Sequence, residues 1–166
     1  QTLEVLKHHN IKKAKELGIE FRLYQLSTSA SSRRDGPTDV TTDKLREEIG
    51  RLAGPKTCGG CIVQLPLPEK INRHYTLNAI PKEKDVDFLS EAALGAFYTG
   101  RSSAAPPSVG TVEEILKREN RNLRELKVVV VGAGFLIGKP VGFWLQNRVA
   151  ELIVLDSASK GLRRKI

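Results

Sequence analysis

Gln64 is a residue whose chemical type and position could serve substrate binding. It follows the apolar run Cys61-Ile62-Val63, and two prolines, Pro66 and Pro68, fix the direction in which the chain leaves. If the run is a strand, Gln64 and Pro66 lie at its carboxyl end, where ligands bind in open α/β sheets. An amide offers such a ligand both a donor and an acceptor. Gln64 is therefore a candidate substrate-binding residue.

Two carboxylates flank an apolar residue in the motif over residues 81–87, Pro-Lys-Glu-Lys-Asp-Val-Asp. A short motif of this composition between two helices serves either as a turn and cap device or as a source of one carboxylate for a cleft. The residues alone leave both interpretations of Asp85 and Asp87 open.

Three glycines could receive a phosphate. Gly132, Gly134 and Gly138 follow four consecutive valines and precede an amphipathic segment, in the order strand, tight turn, helix. The spacing G-x-G-x-x-x-G is one residue longer than the usual dinucleotide fingerprint, so close packing of strand and helix is the alternative. A nucleotide site is favoured by Asp156, because an acidic residue at the end of the second strand, about 20 residues on, holds the adenosine ribose in such domains.

The two cysteines form a C-x-x-C motif, Cys58 to Cys61. This spacing suits a redox pair or half of a zinc site, but the sequence holds no second C-x-x-C and no paired histidines to complete a metal set. We therefore predict no metal site and interpret Cys61 as a small buried residue. A thiol redox module is a third and weaker functional hypothesis.

Composition excludes several classes of protein. The 166 residues carry a net charge of +8, but the basic residues are scattered apart from the cluster over residues 163–165. Solvated helix faces explain this charge better than a nucleic-acid surface does. No apolar run approaches the roughly 18 residues of a membrane span, and Gln1 begins no segment typical of a signal or transit peptide.

The elements that must position these residues alternate between helix and strand, which predicts an α/β fold with parallel strands. The boundary falls in the Ser/Ala/Pro segment at 101–107, which gives an α/β substrate domain over 1–107 and an incomplete Rossmann-like domain over 108–166. Helices are predicted at 3–17 (with Gly18 after it), 43–52, 71–80, 92–98 and from a cap near 108 or 111; strands at 21–26, 60–65, 128–131 (buried on both faces) and 151–155; and a loop at 27–38.

The motifs V-Q-L-P-L-P, P-K-E-K-D-V-D and V-V-V-G-x-x-x-x-x-G-K-P follow one another at set distances. In this order the chain, from about Gly18 to Ser157, resembles the bifunctional methylenetetrahydrofolate dehydrogenase/cyclohydrolase family. The resemblance implies two α/β domains with a tetrahydrofolate derivative in the cleft between them, a nicotinamide nucleotide (NAD or NADP) on the Rossmann-like domain, usually a homodimer, and a place in the cytoplasm or the mitochondrial matrix.

The resemblance also assigns roles to individual residues. Gln64 matches the glutamine that assists the cyclohydrolase step, and Asp87 matches the aspartate that binds the pterin ring. Gly132 and Gly138 match the turn glycines, and Ser157 matches a serine near the adenosine phosphate. The segment over residues 106–108, Pro-Pro-Ser, matches the family's Pro-Cys-Thr-Pro only in part.

Three departures from the family pattern bear on activity. The positions of a tyrosine and the proton-transferring lysine fall on Leu6 and Asn10, and Asn10 cannot titrate; a one-residue shift gives Val5 and His9. Phe88 replaces a glycine, which predicts a bulky ring beside the pterin position. Ala133-Gly134 replaces Arg-Ser, and this loss, with the charge of Asp156, favours NAD over NADP.

Two functional hypotheses follow. The first is a methylenetetrahydrofolate dehydrogenase, with possible cyclohydrolase activity that depends most on the absent lysine. The second is a catalytically inactive relative, a binding or structural subunit of a larger and possibly RNA-containing assembly. Either a partial chain or an eroded relative accounts for the missing first elements and the unfinished second domain.

Overall fold

The computed structural model describes residues 10–26 and 40–159. The chain divides into two compact units, Gln1–Val40 and Thr41–Ile166. The second unit has an α/β fold, with helices and a small parallel sheet. No helix in the described part of the chain combines the length and apolar character that a membrane span needs.

In the first unit, helix α1 is described over residues 10–16, and Asn10 is half-buried on it. Gly18 follows with φ +68°, as predicted for the residue after a helix. The predicted strand at 21–26 is wrong: these residues form no strand, because no neighbouring segment in the described part supplies a hydrogen-bonding ladder. Residues 3–9 of the predicted helix, the loop at 27–38 and the basic cluster at 163–165 lie outside the described residues, as do Val5, Leu6 and His9.

The second unit begins with two helices. Helix α2 (Thr42–Ala53) confirms the prediction to within a residue at each end, and the Thr41 hydroxyl accepts a hydrogen bond from the Lys44 amide. Helix α3 (Arg73–Leu77) is shorter than the predicted 71–80. Its start is set by Asn72, whose side chain takes the N-cap position and accepts from the Tyr75 amide, 3.0 Å away.

The predicted strand at 60–65 is also wrong. Cys61 forms a single parallel bridge with Asp85, and the Cys61 amide donates to the Lys84 carbonyl at 2.7 Å. Beyond it the chain stays extended, with exposure alternating from residue to residue over 61–68. Pro66 and Pro68 have no N–H to donate, so a ladder could not continue along this segment.

The remaining elements form a β-α-β unit. Helices α4 (Glu91–Tyr98) and α5 (Pro107–Arg118) precede strand β1 (Lys127–Val131), helix α6 (Gly138–Leu145) and strand β2 (Glu151–Leu155). The strands pair in parallel, Val129 opposite Ile153, which confirms the Rossmann-like start. Helix α5 begins at Pro107 rather than at a cap near 108 or 111, because proline at the first helical position needs no N–H partner.

Strand β1 is less buried than predicted. Its three central residues are half-buried, and Val131 is 65% exposed. Among the described residues the sheet has two strands, so β1 has a neighbour there on one edge only, which explains the difference.

The core consists of two clusters of buried residues. One joins helices α4, α5 and α6 through Phe88, Ala93, Phe97, Val109, Val141, Trp144 and Leu145. The other contains Ile49, Leu77, Ile80 and Leu89, with Cys61 and Phe135 packed against it. The predicted domain boundary at residue 107 stays a prediction.

Candidate functional site

Lys84, in the motif over residues 81–87, closes the end of helix α2. Its ammonium group donates to the carbonyls of Ala53 (2.5 Å), Gly54 (2.9 Å) and Pro55 (2.6 Å). These carbonyls have no partner inside the helix, so the lysine satisfies them and complements the negative end of the helix dipole. No local pattern predicts this role, because the carbonyls lie 29–31 residues away along the chain.

Asp85 caps the segment that follows it. Its carboxyl group is 3% exposed, and its two oxygens accept the amides of Leu89 (3.1 Å) and Ser90 (2.7 Å). Ser90 in turn accepts from the Ala93 amide and caps helix α4. Of the two interpretations left open by the sequence, the cap therefore describes Asp85.

Asp87 differs from its neighbour. It is half-buried, and its carboxylate accepts no hydrogen bond and forms no ion pair within the described residues. Burial raises its pKa, and the charge of Asp85 adds to the increase. Asp87 therefore offers a carboxylate, in a partly dry environment, to the N–H groups of a ligand.

Gln64 lies exposed on the extended segment beyond the Cys61–Asp85 bridge. Its amide nitrogen donates to the Leu65 carbonyl at 3.0 Å, which leaves its oxygen without a protein partner in the described part. The Leu65–Pro66 peptide bond is cis, and Pro66 is exposed. The Cys61–Asp85 bridge brings the segment that carries Gln64 next to the motif over residues 81–87. Gln64 lies three residues after Cys61, and Asp87 lies two residues after Asp85.

Phe88, for which the sequence predicted a bulky ring beside the pterin position, is buried. Its ring is 8% exposed and packs edge-on against Phe97, with ring centroids 6.3 Å apart. Its backbone has φ +56°, in the left-handed region that favours glycine. The backbone thus keeps a glycine-like conformation although the residue is a phenylalanine.

The glycine turn is held closely between β1 and α6. Gly132 has φ +99°, and its amide donates to the Leu155 carbonyl at 2.7 Å. A Cβ on Gly138 would stand 1.7 Å from the Gly132 carbonyl oxygen, so only glycine fits at position 138. At Gly134 a Cβ would meet nothing within 4 Å.

The turn presents a row of free backbone donors. The N–H groups of residues 133–138 donate to no acceptor within the described part of the chain, and no side chain caps helix α6. The Ser108 hydroxyl donates to the Leu136 carbonyl at 3.0 Å and holds the turn from helix α5. On the other side Phe135 packs against the cluster of Ile49 and Leu77. Free N–H groups at a helix N-terminus form a ready site for a phosphate.

Asp156 and Ser157 directly follow β2. Because Val131 pairs with Leu155, Asp156 lies beside the glycine turn at the carboxyl edge of the sheet. One carboxylate oxygen of Asp156 accepts from the Ala158 amide and the Ser159 hydroxyl, each at 3.0 Å. The other oxygen is free in the described part, and Ser157 is exposed. The sequence analysis missed Ser108 and Ser159, since a hydroxyl near a turn has many possible partners.

The cysteines form no site. Both are free and half-buried, so Cys61 is less buried than predicted, since the segment that carries it lies against a neighbour on one side only. Burial raises the pKa of its thiol, and the charge of Cys58 adds to the increase, which is the opposite of an activated thiolate. Within residues 10–26 and 40–159, His, Cys, Asp and Glu side chains nowhere gather in a group of three that could hold a metal ion.

Comparison with known sequences identifies relatives of this chain. The family described as tetrahydrofolate dehydrogenase/cyclohydrolase, catalytic domain, matches residues 4–87, a range that includes Gln64 and Asp87. The bifunctional protein FolD of Bacillus thuringiensis (strain Al Hakam) is 32% identical over 127 residues, which cover 76% of this chain and 44% of that protein.

Solved structures give the same result. The bifunctional FolD methylenetetrahydrofolate dehydrogenase/cyclohydrolase of Campylobacter jejuni superimposes with a TM-score of 0.85 at 26% identity, over 98% of this chain and 54% of that one. The dehydrogenase-cyclohydrolase of Trypanosoma brucei, solved with NADP and an inhibitor, gives 0.66 at 32% identity, over 74% and 42%. The chain thus spans about half the length of the relatives that it matches.

Proposed function

We propose, because the chain belongs to the tetrahydrofolate dehydrogenase/cyclohydrolase family, that it takes part in the oxidation of a methylenetetrahydrofolate by a nicotinamide dinucleotide. The observation that carries the proposal is the state of Asp87. Lys84 and Asp85 are both occupied by backbone groups, whereas the Asp87 carboxylate is half-buried and has no partner in the described part.

Asp87 would hold the pterin ring. An ionised carboxylate accepts hydrogen bonds from the N–H groups of a pterin, and such charge-assisted bonds are about twice as strong as neutral ones. Gln64, on the neighbouring motif, would add an amide oxygen that no protein donor uses within the described residues. Together with Pro66 these residues would fix the position of the ring, and correct positioning supplies a large part of the rate of such a reaction.

The glycine turn fits a dinucleotide. The free N–H groups of residues 133–138 would receive the diphosphate, and the close approach of Gly138 to Gly132 leaves room for it. Asp156, with Ser157 beside it, would bind the adenosine ribose through the free carboxylate oxygen. A bound nicotinamide would supply the acceptor for the hydride.

We further propose NAD as the preferred dinucleotide. Ala133 and Gly134 provide no cation for a 2′-phosphate, and the exposed Asp156 would repel one. The Trypanosoma brucei relative was solved with NADP. The turnover assay therefore compares NAD with NADP.

The cyclohydrolase step is not part of this proposal. Hydride transfer moves no proton, so it needs no base from the chain. Asn10, where the resemblance expects a lysine, cannot exchange a proton as the hydrolytic step requires.

The proposal extends to organisation. Residues 1–107 would form the folate-binding domain and residues 108–166 the start of the dinucleotide-binding domain. The working unit would be a homodimer, and the cytoplasm or the mitochondrial matrix would be the compartment in which a folate enzyme meets its substrate.

The test is an assay of the purified chain with methylenetetrahydrofolate and either NAD or NADP, followed by the absorbance of the reduced nicotinamide. We expect turnover with wild-type protein and its loss in Asp87→Asn. Circular dichroism and folate binding are measured on the same samples. A folded chain that binds folate without reducing either dinucleotide would overturn the catalytic proposal and leave a binding subunit.

A further inference from the structure

A groove lined by cations lies at the end of helix α6 opposite the glycine turn. It consists of two adjoining depressions, of about 410 and 360 Å³, that share Arg124 and Arg148. Both volumes fall in the range of small-ligand sites. We call this surface the basic groove and define it by Lys117, Arg121, Arg124, Trp144, Asn147 and Arg148.

The basic groove is separate from the proposed dinucleotide site. Helix α6 begins at the turn with Gly138 and reaches the groove with Trp144. At 1.5 Å per residue, roughly 10 Å of helix lies between the two regions. A ligand of the groove would therefore not occupy the glycine turn.

The charge of the groove is largely uncompensated. Lys117 is paired with Glu113, whose carboxylate is the one acidic group among the lining residues, at 3.4 Å. Arg121 and Arg124 form no ion pair within the described residues. Three arginines, Arg121, Arg124 and Arg148, therefore line the same open depression, and their like charges repel one another unless an anion enters it.

One of these groups is held in place. The Arg148 guanidinium donates to the Trp144 carbonyl at 2.7 Å and lies 5.0 Å from the centre of the indole ring. Asn147, with φ +60°, turns the chain so that Arg148 folds back over the last turn of α6. The backbone at Arg124, though not its guanidinium, is held by Asn122, whose side chain accepts from the Arg124 amide at 3.2 Å. Preorganised donors lose less entropy when they bind an anion.

We propose that the basic groove binds a ligand with at least two phosphoryl groups. A guanidinium group matches the geometry of phosphate oxygens. Three such groups suit a ligand with several neighbouring negative charges better than a ligand with a single carboxylate. Amide donors from Asn147 and Gln146 line the same space. A free oligophosphate and the backbone of a nucleic acid share this chemistry.

The test uses Trp144, the single tryptophan of the chain, as a reporter. Tripolyphosphate and a short single-stranded RNA are titrated separately into the full chain at constant ionic strength, with tryptophan emission and calorimetry recorded in parallel. We expect saturable binding of tripolyphosphate. If the RNA binds more tightly at equal phosphate concentration, the source is a nucleic acid; if tripolyphosphate does, the source is a free oligophosphate.

Two variants locate the binding. The double variant Arg121→Gln/Arg124→Gln should weaken it at least tenfold. Arg118→Gln, in which an exposed arginine paired with Glu114 is replaced, is the charge control and should bind as wild type does. The proposal is overturned if neither probe binds, if the double variant binds like wild type, or if Arg118→Gln weakens binding as much as the double variant does. Dinucleotide reduction should be the same in all of these proteins, so failure here is distinct from failure of the proposed function.

Discussion

Gly138 lies so close to Gly132 that a Cβ on the former would stand 1.7 Å from the carbonyl oxygen of the latter. The two glycines lie at the two ends of the turn between β1 and α6. The Gly132 amide donates a hydrogen bond to the carbonyl of Leu155, the last residue of β2. A displacement at position 138 therefore reaches the carboxyl ends of both strands, where the proposed dinucleotide site lies.

Gly138→Ala should accordingly destabilise the fold by about 1–3 kcal/mol, the usual cost of overpacking, and should abolish dinucleotide binding. Gly134→Ala is the matched control for stability, since a Cβ there meets nothing within 4 Å. Urea unfolding of both variants, with dinucleotide titrations, measures the two effects. Equal stability of the two variants would contradict the close approach.

Lys84→Met should lower the free energy of unfolding by about 2–3 kcal/mol. The substitution removes a cation that donates to three carbonyls at the end of α2 and leaves those of Ala53 and Gly54 without a partner in the described part of the chain, whereas that of Pro55 still accepts from the Cys58 amide. Lys82→Met is the control, because Lys82 is exposed and its pairing with Glu83 is long, at 3.8 Å. The control should change stability by no more than about 0.5 kcal/mol in urea unfolding. A similar loss in both variants would argue against the cap.

Asp87→Asn should raise stability at neutral pH and lower activity. The folded-state pKa of Asp87 is raised by burial, so the folded chain binds this proton more tightly than the unfolded chain does. Wild-type stability therefore falls relative to the variant as pH rises from the unfolded pKa of about 3.9 through the folded value, and the two converge in acid. Loss of the charged acceptor should reduce kcat/KM about 10- to 100-fold.

The control for this prediction is Asp85→Asn. Asp85 accepts the Leu89 and Ser90 amides, so its amide variant should be less stable than wild type at neutral pH. Urea unfolding between acid and neutral pH measures both variants. If Asp87→Asn were also destabilising at neutral pH, the carboxylate would have a partner and the assignment of Asp87 to the ligand would fail.

Phe88 allows a test of backbone strain. Both Phe88→Ala and Phe88→Gly remove a buried ring and should cost about 3–5 kcal/mol. Because φ at this position is +56°, the glycine variant should be the more stable of the two by about 1 kcal/mol. In a helix alanine is the more stable residue of the two. Gly95→Ala in α4 should therefore be stabilising and serves as the control. An alanine variant more stable than the glycine variant would rule out the left-handed backbone.

Local signals predicted the elements that depend on local physics. The valines of β1, the run over residues 151–155 and the periodicity of α2 specify structure within a few residues, and those elements are where the sequence placed them. The predicted strands at 21–26 and 60–65 have the right composition, but a strand also needs a partner, and composition does not name one. For the segment at 60–65, the described part of the chain supplies a single bridge, between Cys61 and Asp85.

The candidate site likewise contains residues that a local pattern proposes and roles that depend on contacts distant in the sequence. Motif spacing proposed Gln64, Asp87 and the turn glycines as candidates, and their roles stay predictions. It could not separate Asp87 from Asp85, since the difference lies in the amides of Leu89 and Ser90 that only one of them accepts. The roles of Lys84 and Ser108 depend on carbonyls 28–31 residues away, and no local pattern records such a distance.

Asp156→Asn tests the choice of dinucleotide. The asparagine keeps an oxygen that can accept from Ala158 and Ser159, so the turn after β2 should stay as it is. The variant loses the negative charge that would face a 2′-phosphate. Two unit charges about 4 Å apart at a protein surface repel each other by about 1–4 kcal/mol. The ratio of kcat/KM for NADP to that for NAD should therefore rise about tenfold or more.

Asp43→Asn, in the first turn of α2, removes the same charge away from the sheet edge and should leave the ratio unchanged. The ratio is measured at two salt concentrations, because a Coulombic effect at an exposed site weakens as ionic strength rises. A ratio that stays at the wild-type value in Asp156→Asn would place the adenosine ribose away from Asp156. A ratio that changes without any dependence on salt would point to a hydrogen bond of the carboxylate, rather than its charge, as the cause of the preference.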